Sequence, residues 1–463
     1  MKNKTASFTE GPLLPSIIKF TVPIILTSIL QLLFNTADHM VVAEFSEYKN
    51  LAVGAIGATN VITNLIINLF IGLSVGAGVS VAHAYGSRDQ KNIHRIVHTV
   101  IPTSIVLGLI LTVIGIIAAE PLLSIVNTPK DVFPLSATYM KIYFAGMTFN
   151  MVYNFSASIL RAAGDSKKPL IYLTIAGVVN VILNLIFVIG FHMDVAGVAL
   201  ATTISQGVSA VLMIIALMRR TDGCKLYLKK MCIYKPQLTK VMQIGIPAGI
   251  QGSIFSLSTA IIQSSINSFG PQALSGSSAA GNIESYVYMC LYAFNQSAVT
   301  FVGQNLGAGK YDRVKKSFMM CILCVTVVGL TGGILVCIFA PQLLSLFGVS
   351  AVATPDAYAH ALIRLACICL PYLLCGIIDV TTGALRGIGS SATPMIISIV
   401  GICAFRVIWN YTAFAAYPTA VCLYLSFPIS WLITCICQFA AFLIIYKKHM
   451  KAVSECGLLS AEQ

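Results

Sequence analysis

The sequence predicts an all-α membrane protein: twelve transmembrane helices in two six-helix bundles related by a parallel pseudo-two-fold repeat. Three observations carry that reading. The 463 residues are 57% hydrophobic and only 10% charged, with a mean hydropathy of +0.86. A soluble domain carries about 25% charged residues, so lipid must be the solvent for most of these side chains. The apolar residues also fall in runs of spanning length, and short motifs recur at a fixed distance along the chain.

The runs cover residues 14–44, 51–84, 94–119, 132–160, 168–190, 194–218, 236–268, 275–305, 317–340, 357–384, 392–417 and 421–446. About 20 apolar residues are enough to cross a bilayer as a helix. A polar lead, residues 1–12, precedes the first run, and it has no cleavable signal pattern. The first run is therefore expected to remain as an anchor. The one sizeable polar stretch, Arg219 to Lys240, lies in the middle. It divides the chain into an N-terminal bundle (1–220), a cytoplasmic linker (221–235) and a C-terminal bundle (236–463).

Charge placement gives the orientation. The formal net charge is +13, which in a soluble protein would suggest nucleic acid. Here 24 of the 29 Lys and Arg residues fall at one set of ends: the N-terminus, the turns around Arg88, Arg161, Lys310 and Arg386, the central linker and the C-terminus. The opposite loops hold only Lys49 and Lys130, while Lys141, Arg364 and Arg406 lie deeper. By the positive-inside rule both termini are cytoplasmic, and no nucleic-acid partner is expected.

The repeat is visible in paired motifs. Leu160 to Pro169 reads LRAAGDSKKP, and Leu385 to Pro394 reads LRGIGSSATP, a shift of 225. Val22-Pro23-Ile24 resembles Ile246-Pro247-Ala248. Gly86-Ser-Arg-Asp resembles Gly307-Ala-Gly-Lys-Tyr-Asp. An even number of crossings per half makes the repeat parallel, with a cleft between bundles.

In the first run, Thr27, Gln31, Asn35 and Asp38 are spaced four, four and three apart, so they line one helical face. A carboxylate at membrane depth is costly and should face a bundle interior or water. Asn60, Asn64 and Asn68 recur in the second run, Asn180 and Asn184 in the fifth, and Thr202 and Gln206 in the sixth. Amide oxygens with one carboxylate suit a proton site or a monovalent-cation site. The alternative is that the amides are hydrogen-bonding glue between helices. At a shift of 224, Asp38 falls on Ile262, so no acid recurs in the second half.

The second half has its own acids, Glu284 and Asp379. Glu284, Tyr288 and Tyr292 share a helical face, with Asn295 at the next turn. Carboxylate and rings together would attract an organic cation. Equally, Arg364 or Arg406 would neutralise Glu284 or Asp379, and both readings of Glu284 stand at this point.

Other features point to packing. Gly72, Gly76 and Gly78 permit close helix approach, and Pro23, Pro247, Pro371 and Pro428 kink or loosen helices. The 14 cysteines lie mostly in apolar runs and act as small apolar residues. The Gly303–Lys310 run, GQNLGAGK, has the wrong spacing for a phosphate loop. His83, His94 and His98 flank a loop and are expected to be solvated. No Ser/His/Asp set, zinc pattern or catalytic carboxylate pair stands out, so neither an enzyme, a metal site nor a cofactor is expected.

With VGQNLGAGKYDRVKKS (Val302–Ser317), LRAAGDSKKP, LRGIGSSATP, FNTADHMVV and NVILN (Asn180–Asn184), nearly the whole chain resembles the multidrug and toxic compound extrusion family. The segment GNIES with Glu284 is similar to its bacterial DinF-like branch. The resemblance implies two six-helix bundles, alternating access, and antiport of cationic or amphiphilic compounds against inward protons or sodium. It places the first-helix acid on Asp38 and the fifth-helix polar pair on Asn180 and Asn184. Some members carry an acid at the position of Asn184 and another in the seventh helix; this chain carries neither.

The combined expectation is an efflux carrier of the cytoplasmic membrane. Asp38 takes and releases H+ or Na+, with Gln31, Asn35, Asn180 and Asn184 as neighbours. Glu284, Tyr288, Tyr292 and Asn295 hold a small molecule, expected to be an organic cation. The lipid bilayer is the surrounding partner, and a monomer suffices. The rivals are a flippase for lipid-linked precursors, which would want a more basic cleft, and a channel.

Overall fold

The computed structural model describes residues 8–46, 49–126 and 128–461. Among the described residues nine helices are long and apolar enough to cross a membrane, or ten when one bent pair counts as a single span. They are α1 (Leu13–Phe45), α2 (Lys49–Gly86), α3 (Gln90–Ile125), then α6 (Lys167–Asn184), α7 (Asp194–Met218), α8 (Lys235–Asn267), α10 (Tyr311–Ile338), the run beginning with α14 (Ala392–Ser398) and α15 (Phe405–Trp409), and α16 (Ala420–Ala461). The bent pair is α12 (Pro355–Cys369) and α13 (Tyr372–Gly387), joined at 45°. Pro371 stands between them, where its missing N–H interrupts the ladder. The fourth expected run is split at Gly146 into α4 (Phe133–Ala145) and α5 (Met147–Ala162). The eighth lies on α9 (Pro271–Gly307), whose Ser, Gly and Asn content makes it less apolar and which is largely buried. A short α11 (Ala340–Leu346) follows α10.

The chain forms two compact units. Unit 1 takes Lys19–Ser256; unit 2 takes Phe8–Ile18 and the chain from Leu257 onward. In unit 1, α5 packs against α2, α3 and α7, and α6 lies along α7. In unit 2, α9 is the central helix, in contact with α10, α12 and α13.

The repeated motifs fold into the same helix ends. After α5, Asp165 N–H donates to Leu160 O at 2.9 Å and Gly164 N–H to Arg161 O at 2.8 Å. After α13, Ser390 N–H donates to Leu385 O at 2.9 Å and Gly389 N–H to Arg386 O at 2.8 Å. Gly164 and Gly389 sit at φ +85° and +97°. This is the double-bonded C-cap in which glycine adopts the left-handed conformation. The same cap closes α9 with Gly309 at φ +69°, and closes α2 with Arg88, a non-glycine, at φ +57°.

Two motifs have structural roles that their sequences did not reveal. The GQNLGAGK run clasps the start of the chain within unit 2. Gln304 Oε1 accepts from Phe8 N–H at 3.1 Å, Lys310 Nζ donates to Thr9 O at 3.0 Å, and Arg313 Nε donates to Phe8 O at 3.1 Å. His98, expected to be solvated, is fully buried under the central linker. Its Nε2 accepts from Tyr227 N–H at 3.0 Å, while its Nδ1 lies 2.8 Å from His94 O.

Glycine permits a close backbone contact in unit 1. A Cβ added at Gly72 would lie 2.1 Å from Gly249 N, and one at Gly76 would lie 2.1 Å from Val241 O. The α2 backbone therefore rests on the α8 backbone, as small residues allow between membrane helices. Gly72→Leu should destabilise the fold by roughly 1–3 kcal/mol, the cost of overpacking a filled contact. Gly57→Ala, where nothing lies within 4 Å, should be close to neutral by comparison. Thermal unfolding of the purified variants, with equal midpoints for both, would contradict this packing.

Candidate functional site

The site forms in unit 1 where α1, α6 and α7 meet. Asp38 comes from α1, Asn180 and Asn184 from α6, and Thr202 from α7. The two asparagines are one turn apart on a single face, and both are buried. A π-helical stretch, Leu185–Gly190, begins immediately after Asn184. Such stretches often mark functional positions, because they break the helical register locally.

The four side chains close a ring of hydrogen bonds. Asn184 Nδ2 donates to Asp38 Oδ1 at 2.5 Å, and Thr202 Oγ1 donates to Asp38 Oδ2 at 3.3 Å. Asn180 Nδ2 donates to Thr202 Oγ1 at 3.3 Å, and Asn184 Nδ2 also donates to Asn180 Oδ1 at 3.3 Å. Each carboxylate oxygen thus receives one donated hydrogen bond. That polarity suits the ionised carboxylate, which only accepts. Asn184 Oδ1 is buried without a hydrogen-bond partner among the described residues. A carbonyl oxygen beside a carboxylate is a donor set for a proton or a hard monovalent cation.

Two tyrosines complete the surroundings. Tyr139 and Tyr143, on α4, stack with centroids 5.9 Å apart and stand within Coulombic range of Asp38. Sequence reading missed them, because an aromatic pair at i,i+4 in an apolar run looks like core. Thr202 was visible only as one polar residue of its run.

The remaining expected ion-site residues lie elsewhere. Gln31 and Asn35 are exposed on α1 and are not part of the ring. Thr27 back-bonds to Pro23 O at 2.7 Å, at the proline inside α1. Asn68 donates to Ser256 Oγ at 3.0 Å, as interhelical glue, and the Asn60 side chain lies outside the described residues.

In unit 2, the arrangement at Glu284 is an ion pair. Arg364 Nε and Nη2 donate to Glu284 Oε1 and Oε2, each at 2.8 Å, and Nη1 donates to Ser277 Oγ at 2.6 Å. This two-pronged geometry saturates the carboxylate. Asn295 is buried and donates to the backbone oxygen of Asp379 at 2.7 Å. Tyr288 and Tyr292 remain half-buried as an aromatic pair with centroids 6.0 Å apart, within Coulombic range of Arg386. Among the described residues, no group of three or more His, Cys, Asp or Glu could hold a metal ion.

The described residues thus define a multi-pass helical membrane protein with one carboxylate held in a polar ring between three of its helices. Comparison with known proteins specifies the family. The MatE family model matches residues 23–186 and again 247–412, so the chain belongs to the MatE family of multidrug and toxic compound extrusion transporters. It is 27% identical over 409 residues to the probable multidrug resistance protein YpnP of Bacillus subtilis (strain 168), covering 87% of this chain and 89% of that one. It is 25% identical over 398 residues to the probable multidrug resistance protein NorM of Thermotoga maritima, covering 84% and 83%. In fold it is similar to an outward-facing multidrug resistance MATE family transporter of the MOP superfamily, with a TM-score of 0.88 at 20% identity over 97% of this chain and 100% of that one.

Asn184 makes the short bond to Asp38, so its loss should be felt most. Asn184→Ala should shift the half-saturating ion concentration about tenfold, to a lower value where protons drive transport, because the lost donor favours the ionised carboxylate and a hydrogen bond to a charged group contributes roughly 1.5–3 kcal/mol. Thr202→Val, which removes the longer bond, should do less. Half-saturating ion concentration in a transport assay would measure both, and an unchanged value for Asn184→Ala would refute the ring.

Proposed function

We propose that the protein is a secondary antiporter of the cytoplasmic membrane, with both termini cytoplasmic. It exports amphiphilic small molecules, and inward H+ or Na+ drives it. Asp38 takes up the ion, while Asn180, Asn184 and Thr202 hold the carboxylate ready for it. The observation that carries this reading is the ring itself, in which every hydrogen bond to Asp38 is donated to it. A lone structural acid would more often be met by a base, as Glu284 is by Arg364.

The energetics are adequate. One charge crossing 100 mV yields roughly 2.3 kcal/mol. At 1.4 kcal/mol per tenfold, that sustains about a 50-fold gradient of a substrate without net charge. Ion binding removes the negative charge from the junction of α1, α6 and α7. It thereby changes what α1 prefers to face, which is the differential interaction any ligand needs to shift a conformational equilibrium. The sequence suggested an organic cation as substrate, with Glu284 as its counter-charge. The Arg364 pair neutralises that carboxylate, leaving Tyr288 and Tyr292 as the aromatic contacts from that face. The family kinship and the relatives' multidrug names support small-molecule export in general.

The test is efflux from proteoliposomes. Under an imposed proton or sodium gradient the wild type should concentrate a fluorescent substrate. Asp38→Asn should lose that uphill transport while keeping substrate affinity. Normal gradient-driven transport by Asp38→Asn would exclude the proposed role.

A further inference from the structure

Unit 2 buries more cationic than anionic side chains deep in its helices. Glu284 is taken by Arg364, and Asp379 stands within Coulombic range of Arg386. That leaves Arg406 on α15. Its residue exposure is only 5%. Its Nε donates to Ser430 Oγ at 3.1 Å, and Ser430 in turn donates to Phe427 O at 2.8 Å. Its guanidinium carbon lies 4.0 Å from the centroid of the Phe427 ring and 5.7 Å from that of Trp431. Its Nη2 is buried with no hydrogen-bond partner among the described residues, and no carboxylate forms an ion pair with it there.

An arginine cannot shed its proton to escape this situation. Cation–π contact offsets part of the cost of a buried charge, but it leaves the N–H donors of Nη2 unmatched. Those donors are shaped for an oxyanion, which guanidinium binds through parallel N–H bonds. The aromatic side chains continue beyond the contact, with Trp431 lying 5.4 Å from Tyr372 and 5.9 Å from Phe427 between centroids. Phe405–Trp409 is also flanked by π-helical stretches on both sides, Ile399–Ala404 and Asn410–Phe414. A helix with two such stretches can change register there without unravelling, and such irregularities cluster at functional sites.

We propose that Arg406 binds the oxyanion, carboxylate or phosphate, of an aromatic amphiphilic substrate, with Tyr372, Phe427 and Trp431 as the apolar wall and Ser430 positioning the guanidinium. The site is closed in this structure, so loading requires α15 and α16 to part. A carboxylate or a phosphate satisfies the Arg406 donor that lacks a partner; a permanent cation does not. This deepens the export reading and rests on it. The test below measures binding with no gradient imposed, so its failure leaves the Asp38 coupling test standing, and the converse also holds.

The full chain in nanodiscs is titrated with benzoate, phenyl phosphate and benzylamine, and Trp fluorescence is read. Trp409→Phe as the background leaves Trp431 as the sole tryptophan of the two in the sequence. Saturable quenching by benzoate, by phenyl phosphate or by both is expected, and the responding probe names the oxyanion. Arg406→Gln should weaken that response at least tenfold and leave any benzylamine response unchanged. Arg406→Lys, which keeps the charge but loses the planar fork, should fall between. The proposal is overturned by the absence of saturable oxyanion binding, or by equal oxyanion binding in Arg406→Gln. Should Arg406→Gln fail to fold, full oxyanion affinity in Arg406→Lys overturns it equally.

Discussion

One carboxylate, kept in a low-dielectric bundle, is the constraint on which unit 1 is built. Asp38 carries a charge that lipid would reject, and α6 and α7 supply the donors that make it tolerable. The same donors make its occupancy consequential. Where two hydrogen bonds hold an anion in place, a bound proton or cation changes the balance of the whole contact between three helices. No base stands in the ring, so nothing in it neutralises Asp38 permanently. Unit 2 shows the opposite arrangement, with Glu284 fixed by a two-pronged arginine.

The surrounding architecture serves this contrast. Repeated C-caps end equivalent helices in both halves, at Gly164 and Gly389, and again at Arg88 and Gly309. Two halves built from one pattern have therefore diverged in their interiors rather than in their frame. Unit 1 keeps an acid among amides and tyrosines. Unit 2 keeps Arg364 in an ion pair with Glu284 and Arg406 over the Phe427 ring. Under the proposed antiport, that asymmetry separates the ion site in unit 1 from the substrate site in unit 2.

Much of this was legible in the sequence, and what was not has definite causes. Asp38 stood out because a carboxylate in an apolar run is expensive, and Asn180 with Asn184 stood out by their four-residue spacing. Gln31 and Asn35 shared the same face by arithmetic, yet they are exposed, because a helical face says nothing about which neighbours cover each turn. Tyr139 and Tyr143 were hidden, since aromatic residues in a span carry no polar signature. The partner of Glu284 was undecidable between Arg364 and Arg406, because helix rotation chooses it. Pro371 and Gly146 broke two expected spans into bent or split helices, which run length alone does not show. His98 lay beside a loop in sequence, but the linker folds back over it.

In the proposed antiport, ion uptake at Asp38 is what drives substrate exit. The most direct measurement is the electrical current that accompanies substrate exchange in proteoliposomes on a solid-supported membrane, recorded separately with protons and with sodium as the only mobile cation. The account predicts a substrate-evoked current with one of these ions in the wild type and none in Asp38→Asn. A substrate-evoked current of equal size in both proteins would contradict it.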